Sequence, residues 1–483
     1  MYEGIQYEAV IGLEVHVQLL TESKLFCSDS TQFGALPNTN VSPVSLAHPG
    51  TLPMMNRQAI DFAIKLGLVL HCDIERNNFF ARKNYFYPDL PKGYQVSQHT
   101  TPICKNGYVK IKNGNVTRNI PLNRIHMEED AGKSLHDIDE NYTCIDLNRA
   151  GVPLLEIVSE PSLHSGDEAV AFLTEIRKLV RYLGICDGNM EEGSMRCDAN
   201  ISIRPRGDKK LGTRVEVKNL NSIKNVKKAI DIELKRLTTL LKNEQPILQE
   251  TRSFDADASV TFPLRTKEEA NDYRYFAEPD LTPFFISDQQ LLAVQQSIPP
   301  LPEELEKKYT GEFLLTEYDA KVLCDDKNTA VFFESIVTHT RHYKAAANWM
   351  LGPIRSYLNE NNSTIQSFPL PPVKIAAVIE MIGAGKINFS TAASKLFPQM
   401  LKSPEKEPGT LAADLNLLQE SNDDAITLWV NEVIQKMPEK VTEYKKGKKA
   451  LIGLFAGEVK KMSKGKADMA IVNKLLTEKL NQS

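Results

Sequence analysis

The sequence lacks the features that mark secreted, membrane and zinc-finger proteins. It has no run of about 18 apolar residues, and its start, MYEGIQYEAV, has no basic flank followed by an apolar stretch. Its seven cysteines are odd in number and never spaced as CxxC, which is typical of reduced thiols rather than of a disulfide framework. We therefore expect neither secretion nor membrane insertion, and a cytoplasmic location.

Common catalytic signatures are also missing. The chain has no GxSxG and no HExxH sequence. The segment Gly383-Ala-Gly-Lys-Ile is similar to part of a phosphate-binding loop, but no Ser or Thr follows its lysine and Glu380 stands where the first glycine should be. The chain also has no Cys nucleophile with a His partner and no Gly/Ser-rich amidase segment, which excludes a glutaminase site of its own.

The composition is that of a globular protein of several domains. The 483 residues are 42% hydrophobic and 25% charged, and this length predicts two to four domains. Short alternating runs up to about residue 290 predict strands, interrupted by helices at 167–183 and 226–241. Prolines in the segment 297–302 predict a boundary, and longer helical periodicity follows it, with helices predicted over 344–359 and 372–383 among others. The fold class expected is α+β, with an antiparallel sheet in the first part and helices in the rest.

The charge is distributed unevenly along the chain. Between Lys436 and Leu480 there are twelve lysines and five acidic residues, about +7, so the remainder of this −4 chain carries about −11. A basic end on an acidic body is a candidate contact for nucleic acid. The alternative interpretation is a Lys-rich helical face that is merely solvated.

Four predicted strands have one polar face. In the first, 11–19, this face carries Glu14, His16 and Gln18. The polar positions of the other three are Asp146 and Asn148; Asp198, Asn200 and Ser202; and Arg214, Glu216 and Lys218. Such a face is usually only solvated, but these residue types converge in a way that indicates a site.

Further carboxylates strengthen this interpretation. Glu128 and Glu129 lie in HMEEDAGK, and Glu156 stands between apolar neighbours, where a carboxylate needs a cation or a donor. Together with His16 and Lys83 they indicate divalent cations that hold phosphate oxygens. The alternatives are an ion pair of Glu156 with Arg149, a structural role for His16 within the sheet, and a solvated turn at Glu128 and Glu129.

A series of segments carries a family resemblance. They occur in the order IGLEVHVQL, FGALPNTN, ARKNYFYPDLPKGYQ, HMEEDAGKS, DLNRAGVPLLEIVSEP, MEEGSMRCDANIS, EVKNLNS, DYRYFAEPDL, NWMLGPIRSYLNE and SKGKADMAIVNKLL. This order resembles the B subunit of the bacterial aspartyl/glutamyl-tRNA(Asn/Gln) amidotransferase, the GatB family. The resemblance covers essentially the whole chain.

The resemblance implies a fold and an activity. The domains would be a cradle-shaped catalytic domain similar to glutamine synthetase over 1–293, a helical domain over 294–408 and a tRNA-binding tail over 409–483. The enzyme would be a carbon–nitrogen ligase that uses glutamine as nitrogen donor and acts on Glu-tRNA(Gln), Asp-tRNA(Asn) or both. ATP would phosphorylate the side-chain carboxylate, and ammonia would then displace phosphate.

The resemblance also implies cofactors, partners and residue roles. The cofactors would be ATP with Mg²⁺ or Mn²⁺, and the partners an amidase (GatA), a small bracing protein (GatC) and misacylated tRNA, with no membrane. The metal ligands would be His16, Glu129 and Glu156. Further catalytic groups would be Glu14, Glu128 and Asp198, and groups at the nucleotide would be Lys83 and Asn84. Arg196 and Lys218 are added to the nucleotide site from the polar faces.

One departure from the family affects a metal expectation. Where some relatives have four zinc-binding cysteines, this chain has Cys27, Asp29, Ser42 and Ser45, and one thiol does not make a structural zinc site. We expect no structural zinc. Two rival functions remain open: a tRNA-binding assembly protein with a decayed kinase site, and a free-standing ATP-dependent ligase for a small carboxylic acid.

Overall fold

The structure is a computed structural model that describes residues 6–266, 273–419, 423–463 and 467–482. The chain separates into two compact units, residues 1–299 and 300–483. The first unit holds the strands and the second is helical, as the α+β expectation requires. None of the helices in the described ranges is long and apolar enough to cross a membrane.

Strands and helices alternate along the first unit. The strands are β1 (Tyr7–Gln18), β2 (Asp73–Ile74), β3 (Asn77–Asn78), β4 (Ala81–Asn84), β5 (Tyr94–Ser97), β6 (Cys104–Lys105), β7 (Tyr108–Asn113), β8 (Val116–Glu129), β9 (Lys133–Leu135), β10 (Cys144–Asp146), β11 (Pro153–Ser159), β12 (Met195–Pro205), β13 (Val215–Leu220), β14 (Glu250–Asp255), β15 (Val260–Thr266), β16 (Phe276–Ala277) and β17 (Phe284–Phe285). Its helices are α1 (Arg57–Val69), α2 (Gly166–Tyr182), α3 (Ile223–Lys242) and α4 (Asp288–Gln296).

The second unit is built from short helices. They are α5 (Pro302–Gly311), α6 (Glu317–Leu323), α7 (Lys327–Val337), α8 (Tyr343–Trp349), α9 (Arg355–Glu360), α10 (Pro372–Gly383), α11 (Phe389–Thr391), α12 (Phe397–Lys402), α13 (Pro408–Asp414), α14 (Asp423–Lys436), α15 (Pro438–Lys445), α16 (Ile452–Met462) and α17 (Met469–Gln482). Two π-helical turns, Met350–Ile354 and Ala392–Leu396, and two 3-10 turns, Ile365–Ser367 and Lys449–Leu451, lie between them.

A large sheet organises the first unit. Its strands follow the order β15-β14-β13-β12-β1-β11-β8-β5-β4-β16, and neighbours are antiparallel except for β13 and β14, which are parallel. The sheet is therefore mixed rather than purely antiparallel. Leu13, Val15 and Val17 of β1 are 0–1% exposed, which confirms that the alternation in this strand separates a core face from a polar face.

Two helices of the first unit were predicted: α2 begins at Gly166, one residue before the predicted start, and α3 at Ile223, three residues before it. Helices α1 and α4 were not predicted. The side chain of Ser165 accepts a hydrogen bond from the backbone N–H of Glu168 at the start of α2, and Ser222 caps α3 in the same way. Helix α2 packs on α3, and α3 packs on β12. The buried residues of α2, such as Phe172 and Ile176, help to cover the apolar side of the sheet.

The end of the second unit has an apolar core of its own. Residues from α14, α16 and α17, including Ile426, Phe455, Val472 and Leu476, are each fully buried against one another. Burial of such side chains contributes roughly 1.5–3 kcal/mol each. The segment from residue 423 onward therefore has a hydrophobic core that does not depend on the sheet.

Candidate active site

The candidate site lies on the polar face of the sheet, where β1 runs between β11 and β12. His16 is opposite Glu156 on β11 and opposite Arg196 on β12. Two residues earlier in β1, Glu14 is opposite Asp198 on β12. Residues opposite one another on neighbouring strands have Cβ atoms about 4.5–5.5 Å apart, so the register alone places these side chains together.

His16, Glu128 and Glu156 form one group, which we call the His16 group. Nε2 of His16 lies 3.4 Å from a Glu156 carboxylate oxygen and 4.0 Å from one of Glu128. One ligand atom from each residue lies within 4.8 Å of the others. A buried neighbour, His126, brings its Nε2 to 3.6 Å from Glu156 and 3.7 Å from Glu128. Two carboxylates with an imidazole could hold Mg²⁺, and the imidazole favours Mn²⁺.

Glu14, Asp198 and Glu216 form a second group, which we call the Glu14 group. Their carboxylate oxygens also lie within 4.8 Å of one another. Nδ2 of Asn200 donates to Glu14 at 2.9 Å, and the hydroxyl of Thr251 donates to Glu216 at 2.8 Å. Three carboxylates without a nitrogen ligand are suited to a hard cation such as Mg²⁺.

The electrostatics of both groups favour a bound cation. Burial and the charges of Glu156 and Asp198 raise the pKa of Glu14. Burial alone would lower the pKa of His16, but the hydrogen bond and charge of Glu156 outweigh it and raise the pKa to about 9. Burial raises the pKa of Glu156, yet the charges of His126 and His16 hold it well below its usual range. A cation that binds the His16 group must therefore displace a proton from His16.

Glu129, which the family resemblance implies as a metal ligand, lies outside both groups, and its role as a ligand stays a prediction. It directly follows Glu128, and successive residues of a strand point to opposite faces. Its carboxylate pairs with Lys92 and accepts the backbone N–H of Val96 at 2.9 Å. Glu128, expected only as a nearby catalytic group, takes the place beside His16 and Glu156.

Two predicted cationic residues border the groups. Nζ of Lys218 lies 2.5 Å from Asp198 and 3.0 Å from Glu216. Nη2 of Arg196 donates to Asp130 at 2.8 Å. Lys218 thus contacts the Glu14 group directly, whereas Arg196 is anchored to a neighbouring carboxylate.

Lys83 and Asn84 lie on β4, at the end of the sheet beyond β8. The Lys83 ammonium lies 5.4 Å from the ring centre of Tyr85 and 5.0 Å from that of Tyr273. The backbone N–H of Asn84 donates to the carbonyl of Tyr273 at 3.0 Å, and its side chain donates to the carbonyl of Arg274 at 2.8 Å. Asn84 therefore holds the 273–274 backbone against β4, and Lys83 lies among aromatic rings.

Two residues from the predicted polar faces lie elsewhere. Asp146 accepts the backbone N–H of Asn38 at 3.1 Å, and Asn148 accepts that of Asn40 at 2.8 Å. Asp146 ends β10, which pairs with β9 in a separate small sheet, and Asn148 follows that strand. Both residues, together with Gln18, line a cavity of about 380 Å³, so they belong to the wall of a neighbouring cavity and not to the metal-binding face.

Glu156 does not form the alternative ion pair with Arg149. The guanidinium of Arg149 donates to the carbonyls of Ala131 and Gly132 at 2.8 and 2.6 Å. Glu156 instead contacts His16, His126 and Arg124. The buried carboxylate thus has two imidazoles and one guanidinium as neighbours, all of them on the polar face.

Sequence reasoning missed Arg124, His126 and Asp130. The first two face the site from β8 with Glu128, since they alternate with the buried Ile125 and Met127. That alternation is visible in NRIHMEE and could have identified them. Asp130 accepts hydrogen bonds from the side chains of Gln18 and Arg196. These long-range contacts cannot be predicted from alternation along a strand.

The loop that contains Asp29, Ser42 and Ser45, where the sequence predicts no structural zinc, is held by hydrogen bonds. The Ser45 hydroxyl donates to Asp29 at 2.6 Å and accepts the backbone N–H of Ser42 at 3.0 Å. Burial would raise the pKa of Asp29, but its hydrogen bonds with Ser45, Ser42 and Cys27 lower it. An ionised Asp29 can therefore organise this loop without a metal, and the absence of structural zinc stays a prediction.

Comparison with known proteins covers both units. A sequence model described as the GatB/GatE catalytic domain matches residues 9–292, more than half of the chain. A second, described as a GatB domain, matches residues 331–480. The chain belongs to the GatB family. Its GatB catalytic domain contains both the His16 group and the Glu14 group.

Curated GatB relatives match over their full length. The B subunit of the aspartyl/glutamyl-tRNA(Asn/Gln) amidotransferase of Thermodesulfovibrio yellowstonii is 45% identical over 478 residues, 99% of this chain and 100% of the relative. Those of Persephonella marina and Trichlorobacter lovleyi are 46% and 48% identical over the same shares. The family resemblance seen in the sequence is confirmed.

Proposed function

We propose that this GatB chain carries the ATP-dependent step of a tRNA-dependent amidotransferase. Its relatives are named as the B subunit of an aspartyl/glutamyl-tRNA(Asn/Gln) amidotransferase, so the substrates are Glu-tRNA(Gln), Asp-tRNA(Asn) or both. The observation that carries the proposal is the convergence of two ligand groups on one sheet face. The residues of both groups come from strands within the family's catalytic domain.

The chemistry has two steps. In the first, a side-chain carboxylate oxygen of the aminoacyl group attacks the γ-phosphorus of ATP, the bond to the β-phosphate oxygen breaks, and ADP leaves. In the second, the nitrogen of ammonia attacks the acyl carbon, the bond to the phosphate oxygen breaks, and a proton is lost. The product is an amide, and inorganic phosphate departs.

The residues of the two groups fit divalent cations. His16, Glu128 and Glu156 would hold one, and Glu14, Asp198 and Glu216 another. Such cations neutralise the repulsion between a carboxylate and a triphosphate and align the two for in-line transfer. Mg²⁺ suits both groups, and Mn²⁺ is the alternative at the group that contains an imidazole.

Cationic side chains of the protein would contact the phosphates of ATP and the carboxylates that bind the metal ions. Lys218 neutralises Asp198 and Glu216 from the side, and Arg196 is fixed by Asp130. Lys83 would reach the nucleotide from β4, and Asn84 would keep the 273–274 backbone in place beside it. These assignments extend the predicted nucleotide site.

The domain arrangement and partners complete the proposal. Residues 1–293 would form the glutamine synthetase-like cradle, 294–408 a helical domain and 409–483 the tRNA-binding tail. A partner amidase (GatA) would supply ammonia from glutamine, a small partner (GatC) would stabilise the assembly, and the complex would work in the cytoplasm. A decayed kinase site is disfavoured by the intact ligand groups, and a small-acid ligase would have no use for the basic tail.

The test is amidation by the assembled complex. Glu-tRNA(Gln) or Asp-tRNA(Asn) is incubated with ATP, Mg²⁺ and glutamine, and the amino acid released from the tRNA is identified. We expect glutamine or asparagine on the tRNA, with ATP consumed in proportion. The function would be refuted if an intact complex left both Glu-tRNA(Gln) and Asp-tRNA(Asn) unchanged.

A further inference from the structure

Arg124 is a further charged residue on the face of the ligand groups. It lies on β8, two residues before His126 and four before Glu128, and it is opposite Val158 of β11. Its side chain is 22% exposed, and Nη2 lies 3.6 Å from Oε1 of Glu156. The guanidinium therefore lies at the edge of the His16 group.

Acceptors on two sides fix the guanidinium. Nη1 donates to the side chain of Asn123 at 3.1 Å, and Nη2 lies 3.3 Å from Nδ1 of His99. Burial and the charges of Arg124 and His126 lower the pKa of His99 to about 4, so its ring is neutral near pH 7 and Nδ1 can accept. His99 is itself held by Tyr275, whose ring stacks on it at 5.3 Å.

One nitrogen of the guanidinium remains without an acceptor. Among the residues that the structure describes, Nε of Arg124 is buried and has no hydrogen-bond partner. An unsatisfied buried donor is unfavourable, so it indicates an acceptor supplied by a ligand. Nε of Arg196 and Nδ1 of His126, both on the same face, are unsatisfied as well.

We propose that Arg124 is a catalytic residue that donates Nε–H to an oxygen of the phosphoryl group in transfer. This inference rests on the proposed function. A phosphoryl group in transfer carries negative charge on its equatorial oxygens, and a planar guanidinium fixed in advance can bind one of them without reorganisation. Nη2 of the same side chain lies beside Glu156, so Arg124 would contact both the His16 group and the phosphoryl group.

Kinetics of the assembled complex test the role of Arg124. The variants are Arg124→Gln and Arg124→Lys, with Arg204→Gln as matched control, because Arg204 is a half-buried arginine of the same sheet that pairs with Glu8 at 2.6 Å. We expect kcat for Glu-tRNA-dependent ATP cleavage to fall roughly 10²- to 10³-fold in Arg124→Gln, with KM for ATP changed less than about 3-fold. Arg124→Lys should recover only part of the rate.

A binding measurement separates this role from a structural one. In the wild type with Glu-tRNA, MgADP with aluminium fluoride should bind more tightly than MgADP alone, and Arg124→Gln should lose that difference while keeping its Mn²⁺ sites. An equal loss of affinity for both nucleotides, or loss of an Mn²⁺ site, would mean that Arg124 only supports Glu156, and would overturn the proposal. A wild-type complex that cleaves no ATP would instead refute the proposed function, and this inference with it.

Discussion

Glu128→Gln is expected to remove one of two divalent-cation sites, whereas Glu129→Gln is expected to keep both. The two residues are neighbours on β8, but only Glu128 lies with His16 and Glu156, and Glu129 pairs with Lys92. Loss of a carboxylate ligand should lower affinity at that site by roughly 100-fold or more, since even outer-shell changes cost 10- to 100-fold. The rate of ATP cleavage should fall on the order of 10³-fold.

The measurement is a titration with Mn²⁺ followed by electron paramagnetic resonance, which counts free and bound ion. Glu129→Gln serves as the matched control, because it changes the same charge one residue away. This variant should lose thermal stability instead, as a buried ion pair broken at one partner costs about 3–5 kcal/mol. Loss of an Mn²⁺ site in Glu129→Gln, with both retained in Glu128→Gln, would contradict the ligand set.

Removal of residues 423–483 is expected to lower tRNA affinity by about 10²-fold or more and to flatten its dependence on salt. Lysines of this segment, including Lys445, Lys446 and Lys460, are exposed, and the loss of each phosphate contact reduces the slope of log K against log salt by about 0.9. Because the segment has its own apolar core, the catalytic unit should remain folded. Lys464 and Lys466 of the same basic segment lie outside the described residues.

A charge-reversal variant tests the same lysines without the risk that the deletion disturbs folding. Lys445→Glu with Lys446→Glu changes exposed positions at the end of α15 and leaves the apolar core intact, so it should reproduce part of the loss. The control is Lys307→Glu, on the exposed surface of α5. Filter binding of tRNA at several salt concentrations gives both affinity and slope. Unchanged binding in the deletion and in the double variant would show that the tail is only a solvated helical face.

The face of the site could be predicted because alternation along a strand follows directly from backbone geometry. Glu14, His16 and Glu216 lie where their patterns placed them. The same rule, applied to β8, separates Glu128 from Glu129, since Ile125 and Met127 mark the core side. The expectation that Glu129 is a metal ligand rested on the family resemblance rather than on that alternation, and it stays a prediction.

Strand order and register could not be read from the sequence. Pairing between β1 and β11 joins residues about 140 positions apart, and nothing local specifies which residue is opposite which. A shift in register between Cys197 and Ala199 interrupts the pairing of β12 with β13 beside Asp198, which Lys218 contacts. Such an irregularity depends on packing across the sheet, so the polar pattern alone could not place Lys218 against the Glu14 group.

Helices were predictable in position but not always in continuity. The sequence predicts one helix over 344–359, whereas the structure has α8, a π-helical turn that contains Pro353, and then α9. Proline has no N–H to donate and clashes with the preceding turn, and a π-helical turn accommodates that defect. By contrast, the helix predicted over 372–383 is confirmed as α10 at both ends.

The most direct test of the central claim is ATP cleavage by the assembled complex with Glu-tRNA(Gln), with Gln-tRNA(Gln) and without tRNA, for wild type and for Glu156→Ala. Glu156 contacts His16 and His126 at 3.4 and 3.6 Å, so its removal should disrupt the His16 group. We expect cleavage that requires the misacylated tRNA and falls on the order of 10³-fold in the variant. Cleavage that is indifferent to the tRNA, or that survives the substitution, would show that the polar face is structural and that the chemistry lies elsewhere.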